Sequence, residues 1–81
     1  MKKKVSLLNM KKNETGKVID YEGGHGFSKK LEDMGIRKGI QIRKVSQQLL
    51  KGPAVIKTGH TRVGIGHMMA KKIIIEVERD H

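Results

Sequence analysis

The stretch Gly23-Gly24-His25-Gly26-Phe27-Ser28-Lys29-Lys30-Leu31-Glu32-Asp33-Met34-Gly35-Ile36-Arg37-Lys38-Gly39 decides how this chain is read. Phe27, Leu31 and Met34 recur at i, i+4 and i+7, which gives a short helix over about residues 26–34 one apolar face. Lys29, Lys30, Glu32 and Asp33 fall largely on the other faces. Gly23, Gly24 and Gly26 form the turn that opens the helix. Gly35 stands where a helix needs its left-handed C′ residue, with Ile36 as the apolar C″ contact. Gly39 then turns the chain into a strand.

Working outward from this helix, both flanks read as strands. Lys17 to Glu22 is one, although Val18, Ile19 and Tyr21 leave its inward face open. Ile40 to Gln47 is the next: Ile40 and Ile42 share a face and Val45 falls one residue out of phase, which predicts a β-bulge near Arg43-Lys44. Lys51-Gly52-Pro53 punctuates a loop, and Ala54 to Lys57 follows as a strand. Gly59-His60 is a Gly-X hairpin turn, and Thr61 to Gly66 returns with Val63 and Ile65 alternating. His67 to Ala70 predicts one 3₁₀ turn. In Lys71 to Glu78 the alternation puts Ile73, Ile75 and Val77 inside and Glu76 and Glu78 outside, with Ile74 open. Ser6 to Met10 predicts a helical turn capped by Ser6. Five short strands with one inserted helix make a mainly β chain, a small SH3-like barrel. Residues 1–81 form a single domain, with 1–5 and 79–81 frayed.

A chain of 81 residues buries only ~60–65% of its unfolded surface, so the core is thin, and without cysteine no disulfide reinforces it. Lys2 to Lys4 precede too short an apolar run for a signal peptide, and no segment approaches the ~18–20 apolar residues of a membrane span. The expectation is a soluble cytoplasmic protein without direct membrane insertion. The net charge of +10 implies attraction to something acidic. One Phe, one Tyr and no Trp leave no aromatic platform for stacking bases, so nucleic acid is not the expected partner.

Little in the chain advertises chemistry. Gly23-x-x-Gly26 opens a helix but lacks the GxxxxGK[ST] pattern of a phosphate loop. His25, His60, His67 and His81 are scattered; Asp20, Glu22 and His25 are the nearest thing to a ferrous ligand set, and strand alternation separates them. Ser6, Ser28 and Ser46 have no histidine at a suggestive spacing. No catalytic residue, metal ligand or cofactor site is assigned, and the expectation is a non-enzyme.

Leu31-Glu32-Asp33-Met34-Gly35-Ile36 followed by Gly39, the turn Glu22-Gly23-Gly24-His25-Gly26, and the end Met69-Ala70-Lys71-Lys72-Ile73-Ile74-Ile75-Glu76-Val77 together resemble the FeoA family of bacterial ferrous iron uptake systems. The resemblance spans roughly Leu7 to Val77. It implies an SH3-like barrel and a role beside FeoB, the membrane permease with a cytoplasmic GTPase domain. A related SH3-like domain ends some metal-dependent repressors, there following a DNA-binding region that is absent here.

What remains is a binding surface. Gln47-Gln48-Leu49-Leu50-Lys51-Gly52-Pro53 carries two adjacent leucines, either folded over the barrel or exposed for a partner or for weak self-association. With the helix it could border a groove floored by Leu31 and Met34, so Leu49, Leu50, Lys29, Lys30 and Lys51 are the candidate partner-binding residues. The function expected is a non-enzymatic accessory of ferrous iron uptake that acts by protein contact with the permease. The alternative is a small basic SH3-like nucleic-acid-binding module, which a steep salt-dependent affinity for nucleic acid would reveal. A third reading, an iron sensor or carrier, needs a stoichiometric site that the residues do not advertise.

Overall fold

The computed structural model describes residues 1–47 and 51–80. Its strands are β1 (Lys2–Ser6), β2 (Thr15–Tyr21), β3 (Gln41–Gln47), β4 (Ala54–Thr58), β5 (Thr61–Ile65) and β6 (Ile73–Glu78). A 3₁₀ turn, Leu7–Asn9, follows β1; helix α1 (His25–Asp33) joins β2 to β3, and α2 (His67–Ala70) joins β5 to β6. The strands pair antiparallel in the order β1-β6-β2-β3-β4-β5. The molecule is mainly β and SH3-like, with fully buried core residues from every strand but β1, whose half-buried Val5 packs against them. Val18, Ile42, Ile56, Ile65, Ile73 and Ile75 meet inside it with Leu7, Leu31 and Ile36 from the connections.

One strand more is present than the alternation suggested. The segment expected to fray, residues 1–5, supplies β1, which pairs with β6 from Lys2↔Glu78 to Ser6↔Ile74. The reason is charge register: Lys2 and Lys4 stand opposite Glu78 and Glu76, and the Met1 amino group lies 2.6 Å from Glu78 Oε1. Arg79 is not frayed either. Its backbone N–H donates to the Met1 carbonyl at 2.9 Å, and its guanidinium grips Glu14 in a two-point pair, Nε to Oε2 at 2.9 Å and Nη2 to Oε1 at 2.7 Å. His81 lies outside the described residues.

Helix α1 ends as its sequence predicts. Gly35 takes φ +89°, the Ile36 N–H donates to the Leu31 carbonyl and the Gly35 N–H to the Glu32 carbonyl, both at 2.9 Å. This is the Schellman pair of bonds that satisfies the last helical carbonyls. The same turn carries a buried tether, because the Tyr21 hydroxyl donates to the Ile36 carbonyl at 2.8 Å.

The two irregular hydrophobic patterns have one cause. In β2 the register against β6 shifts between Val18 and Asp20, so Val18 and Tyr21, three residues apart, both face inward. In β3 the register against β4 shifts between Lys44 and Ser46, so the bulge lies at Val45, just beyond the expected Arg43-Lys44. Gly16 has no room for a side chain: a Cβ there would press on Ile75 Cγ2 and stand 2.9 Å from the Glu76 carbonyl oxygen, so β2 crosses β6 at close range. In β6, Ile73, Ile75 and Val77 are buried and Glu78 is exposed as predicted, whereas Glu76 is half-buried because Lys4 and Lys17 flank it on both sides. The predicted 3₁₀ turn at residues 67–70 is instead one turn of α-helix, closed by i→i−4 bonds from Ala70 N–H to Gly66 O and from Lys71 N–H to His67 O.

Candidate functional site

Helix α1 presents two very different sides. Lys29 and Lys30 are exposed, and Lys29 Nζ lies 3.6 Å from Asp33 one turn on, so Lys29 is partly neutralised within its own helix. On the inner side Leu31 is fully buried, and Phe27 and Met34 are half-buried. Leu31 is therefore a core residue and not the floor of an open groove, because the Schellman turn folds Ile36 and its neighbours over it. Two cations cover the aromatic rings on this side. Lys72 Nζ stands 5.6 Å from the Phe27 ring centre, and Lys38 Nζ stands 5.5 Å from that of Tyr21 while lying 3.4 Å from Asp20. The backbone N–H of Tyr21 and the Lys38 ammonium hold the Asp20 carboxyl below its ordinary range.

Leu49 and Leu50 lie outside the described residues, and Lys51 is exposed with φ +66°. Helix α1 leads into the Gln41 end of β3, whereas Lys51 follows the Gln47 end. A seven-residue strand, ~20 Å long, separates those two points along the chain. Among the described residues no hydrogen bond or ion pair joins Lys29 or Lys30 to Lys51.

The tertiary structure assembles something else around Lys44, a residue the sequence reading passed over. Its ammonium donates to the carbonyls of Leu7 at 3.1 Å, Leu8 at 2.8 Å and Met10 at 2.9 Å, so a buried cation closes the C-terminal end of the 3₁₀ turn. Burial pushes the ammonium pKa down, and the nearby Glu14 carboxylate opposes that shift. Beside it a cleft of about 340 Å³ is lined by Leu8, Met10, Lys12, Lys44 and Ser46. A signal was present: the inward parity of Ile40 and Ile42 continues to Lys44. What the chain does not reveal is that three carbonyl oxygens from a distant turn would be waiting there.

Arg79 holds the Glu14 carboxyl at about 2, so that group is an anion at neutral pH. Among the described residues no three of His, Asp and Glu come together as a metal site; His25 and His60 are exposed, and His67 is half-buried. No helix among them is long and apolar enough to cross a membrane.

Comparison with known proteins places this geometry. The family model described as FeoA domain matches residues 5–77. A protein of Methanocaldococcus jannaschii provisionally named Fe(2+) transport protein A is 31% identical over 70 residues, covering 86% of this chain and 83% of its own. The crystal structure of an iron uptake regulatory protein (FeoA) superimposes with a TM-score of 0.81 at 30% identity, over 90% of this chain and 95% of the other. The solution structure of a FeoA-like protein from Clostridium acetobutylicum gives a TM-score of 0.83 at 25% identity, over 100% of this chain and 94% of the other.

Proposed function

This chain belongs to the FeoA family, whose members serve ferrous iron transport, and from that premise we propose that it works as a non-enzymatic accessory protein, binding the cytoplasmic part of a FeoB-type GTPase-permease by protein contact. The family match over residues 5–77 carries the reading. The surface is consistent with it: exposed cations are plentiful, and the described carboxylates are tied up in ion pairs or dispersed among lysines. On this reading the protein resides in the cytoplasm. Its contact residues include Leu49 and Leu50, with Lys51 next to them in the chain, and Lys29 and Lys30 add a basic rim on helix α1, a separate part of the surface.

Small regulatory contacts bury under ~1,200 Å², so micromolar affinity is expected. The basic rim sets mainly the association rate, which should fall as salt rises. The test is titration against the isolated GTPase region and the full permease, with nucleic acid as a parallel ligand. Leu49→Ala with Leu50→Ala should weaken the complex more than any single lysine change, with circular dichroism confirming that the double variant folds. No binding to either permease form, alongside sub-micromolar nucleic-acid binding at physiological salt, would overturn the proposal.

A further inference from the structure

Arg43, Lys57 and Arg62 stand directly opposite one another across β3, β4 and β5, in the registers Arg43↔Lys57 and Lys57↔Arg62. Residues in register share a face, and their inward neighbours Ile42 and Ile56 are buried, so all three cations belong to the outer face. Opposite Cα atoms in an antiparallel pair are ~4.5–5.5 Å apart, so the row is about 10 Å long. Like charges placed opposite one another destabilise a sheet. Nothing offsets them here: among the described residues none of the three makes an ion pair. A shallow depression lined by Thr15, Gln41, Ile42, Arg43, Lys57 and Gly59 adjoins the Arg43–Lys57 end of the row, with no carboxylate in its walls. The row ends on β5, which is an edge of the sheet.

We infer that the Arg43–Lys57–Arg62 row is the docking surface for an acidic, extended segment of a protein partner. The inference rests on the reading of this chain as an adaptor that acts by protein contact. Charge complementarity selects an anionic occupant, since carboxylates would remove the repulsion that the free protein carries. A protein segment is favoured over nucleic acid by two features. Tyr21 is buried and Phe27 lies on α1, so among the described residues neither the phenol nor the phenyl ring stands beside the row to stack a base, and the exposed His60 in the β4–β5 turn is a single small ring, not a platform. Three cations within ~10 Å also fall short of the six to ten phosphate contacts typical of duplex binders.

The full-length chain should be titrated at 150 mM salt with a decaglutamate peptide, with decathymidylate and with the cytoplasmic region of the permease, followed by NMR. Two triple variants of equal charge change are compared: Arg43→Gln/Lys57→Gln/Arg62→Gln, and Lys2→Gln/Lys4→Gln/Lys17→Gln. We expect the peptide to shift resonances of the row first. The first triple should weaken peptide binding at least tenfold and the second less than threefold. The first should also melt no lower than the parent, having lost only repulsion, and the second lower. Equal weakening by the two triples, a lowered melting temperature for the first, or tighter binding of decathymidylate than of peptide along the row would each overturn the inference. If the parent binds the permease and the first triple binds it equally well, the row falls and the adaptor reading stands. If the peptide binds at the row while the permease does not bind at all, the row stands and the adaptor reading falls.

Discussion

The outer face of the sheet divides into two halves that handle charge in opposite ways. In β1-β6-β2 an acidic strand lies between two basic ones: Glu76 stands opposite both Lys4 and Lys17, and Glu78 opposite Lys2. In β3-β4-β5 the central strand offers Lys57 where β6 offers Glu76, and its neighbours are Arg43 and Arg62. Both halves use the same antiparallel geometry and bury the same kind of isoleucine on the inner face. The difference teaches that the +10 charge is not evenly compensated over the surface. One half uses its charges to hold the chain terminus in place, whereas in the other, among the described residues, Arg43, Lys57 and Arg62 make no ion pair, and their row runs out to the sheet edge at β5.

The largest test asks whether the halves really match inside. Ile75→Ala in β6 and Ile56→Ala in β4 remove fully buried side chains and should each cost ~2–4 kcal/mol in denaturant unfolding. A twofold disparity would mean that the halves differ in packing as well as in charge. Lys44 comes next, because it lies in the basic half yet bonds to the turn that follows β1. Lys44→Met keeps the stem and deletes the ammonium that three carbonyls share, and should cost ~2–3 kcal/mol. Loss of exchange protection at the Met10 amide would locate the damage in the 3₁₀ turn.

The connector between the halves supplies the third test. Gly35→Val forces a β-branched residue to φ +89° and should cost ~1–2 kcal/mol, with Gly35→Asn costing less. Equal melting temperatures for parent and valine variant would remove the cap from the account. Acid should then act on one half only. Glu14 has its folded pKa depressed to about 2 from 4.5, so its stabilisation is complete above pH 4.5 and is lost as pH falls through about 2. Allowing for solvent screening this amounts to about 1 kcal/mol, and it should vanish in Glu14→Gln. The smallest effect is expected for Glu76→Ala, within about half a kcal/mol, since its lysine neighbours remain partly solvated. A larger loss would show that compensation in β6 matters more than packing there.

Legibility in the sequence followed the range of the interactions. The helix, its Schellman stop, the Gly59-His60 turn and the inward set of β6 rest on residues within a few positions of one another, and all appear in the structure. The phase slip at Val45 correctly announced a bulge, but only pairing with β4 located it. Lys2 to Lys4 read as a loose arm because their partners, Glu76 and Glu78, lie more than seventy residues away. Of the candidate site, the exposure of Lys29, Lys30 and Lys51 was legible, and Leu49 and Leu50 fall outside the described residues. The cation row was not legible, since Arg43, Lys57 and Arg62 share no spacing in the chain.

By itself the sequence determined the local grammar: one capped helix, a set of alternating strands, and glycines where the backbone must turn left-handed. It also carried the family signature across the helix and the last strand. Tertiary structure alone decided which strands became neighbours, and with that which charges met. It placed glutamate between lysines on one side, lysine between arginines on the other, and the Lys44 ammonium among carbonyls from a turn more than thirty residues away. The physical reason is that strand alternation assigns each residue to a face, whereas antiparallel register, set by distant bulges and by burial, assigns it a partner.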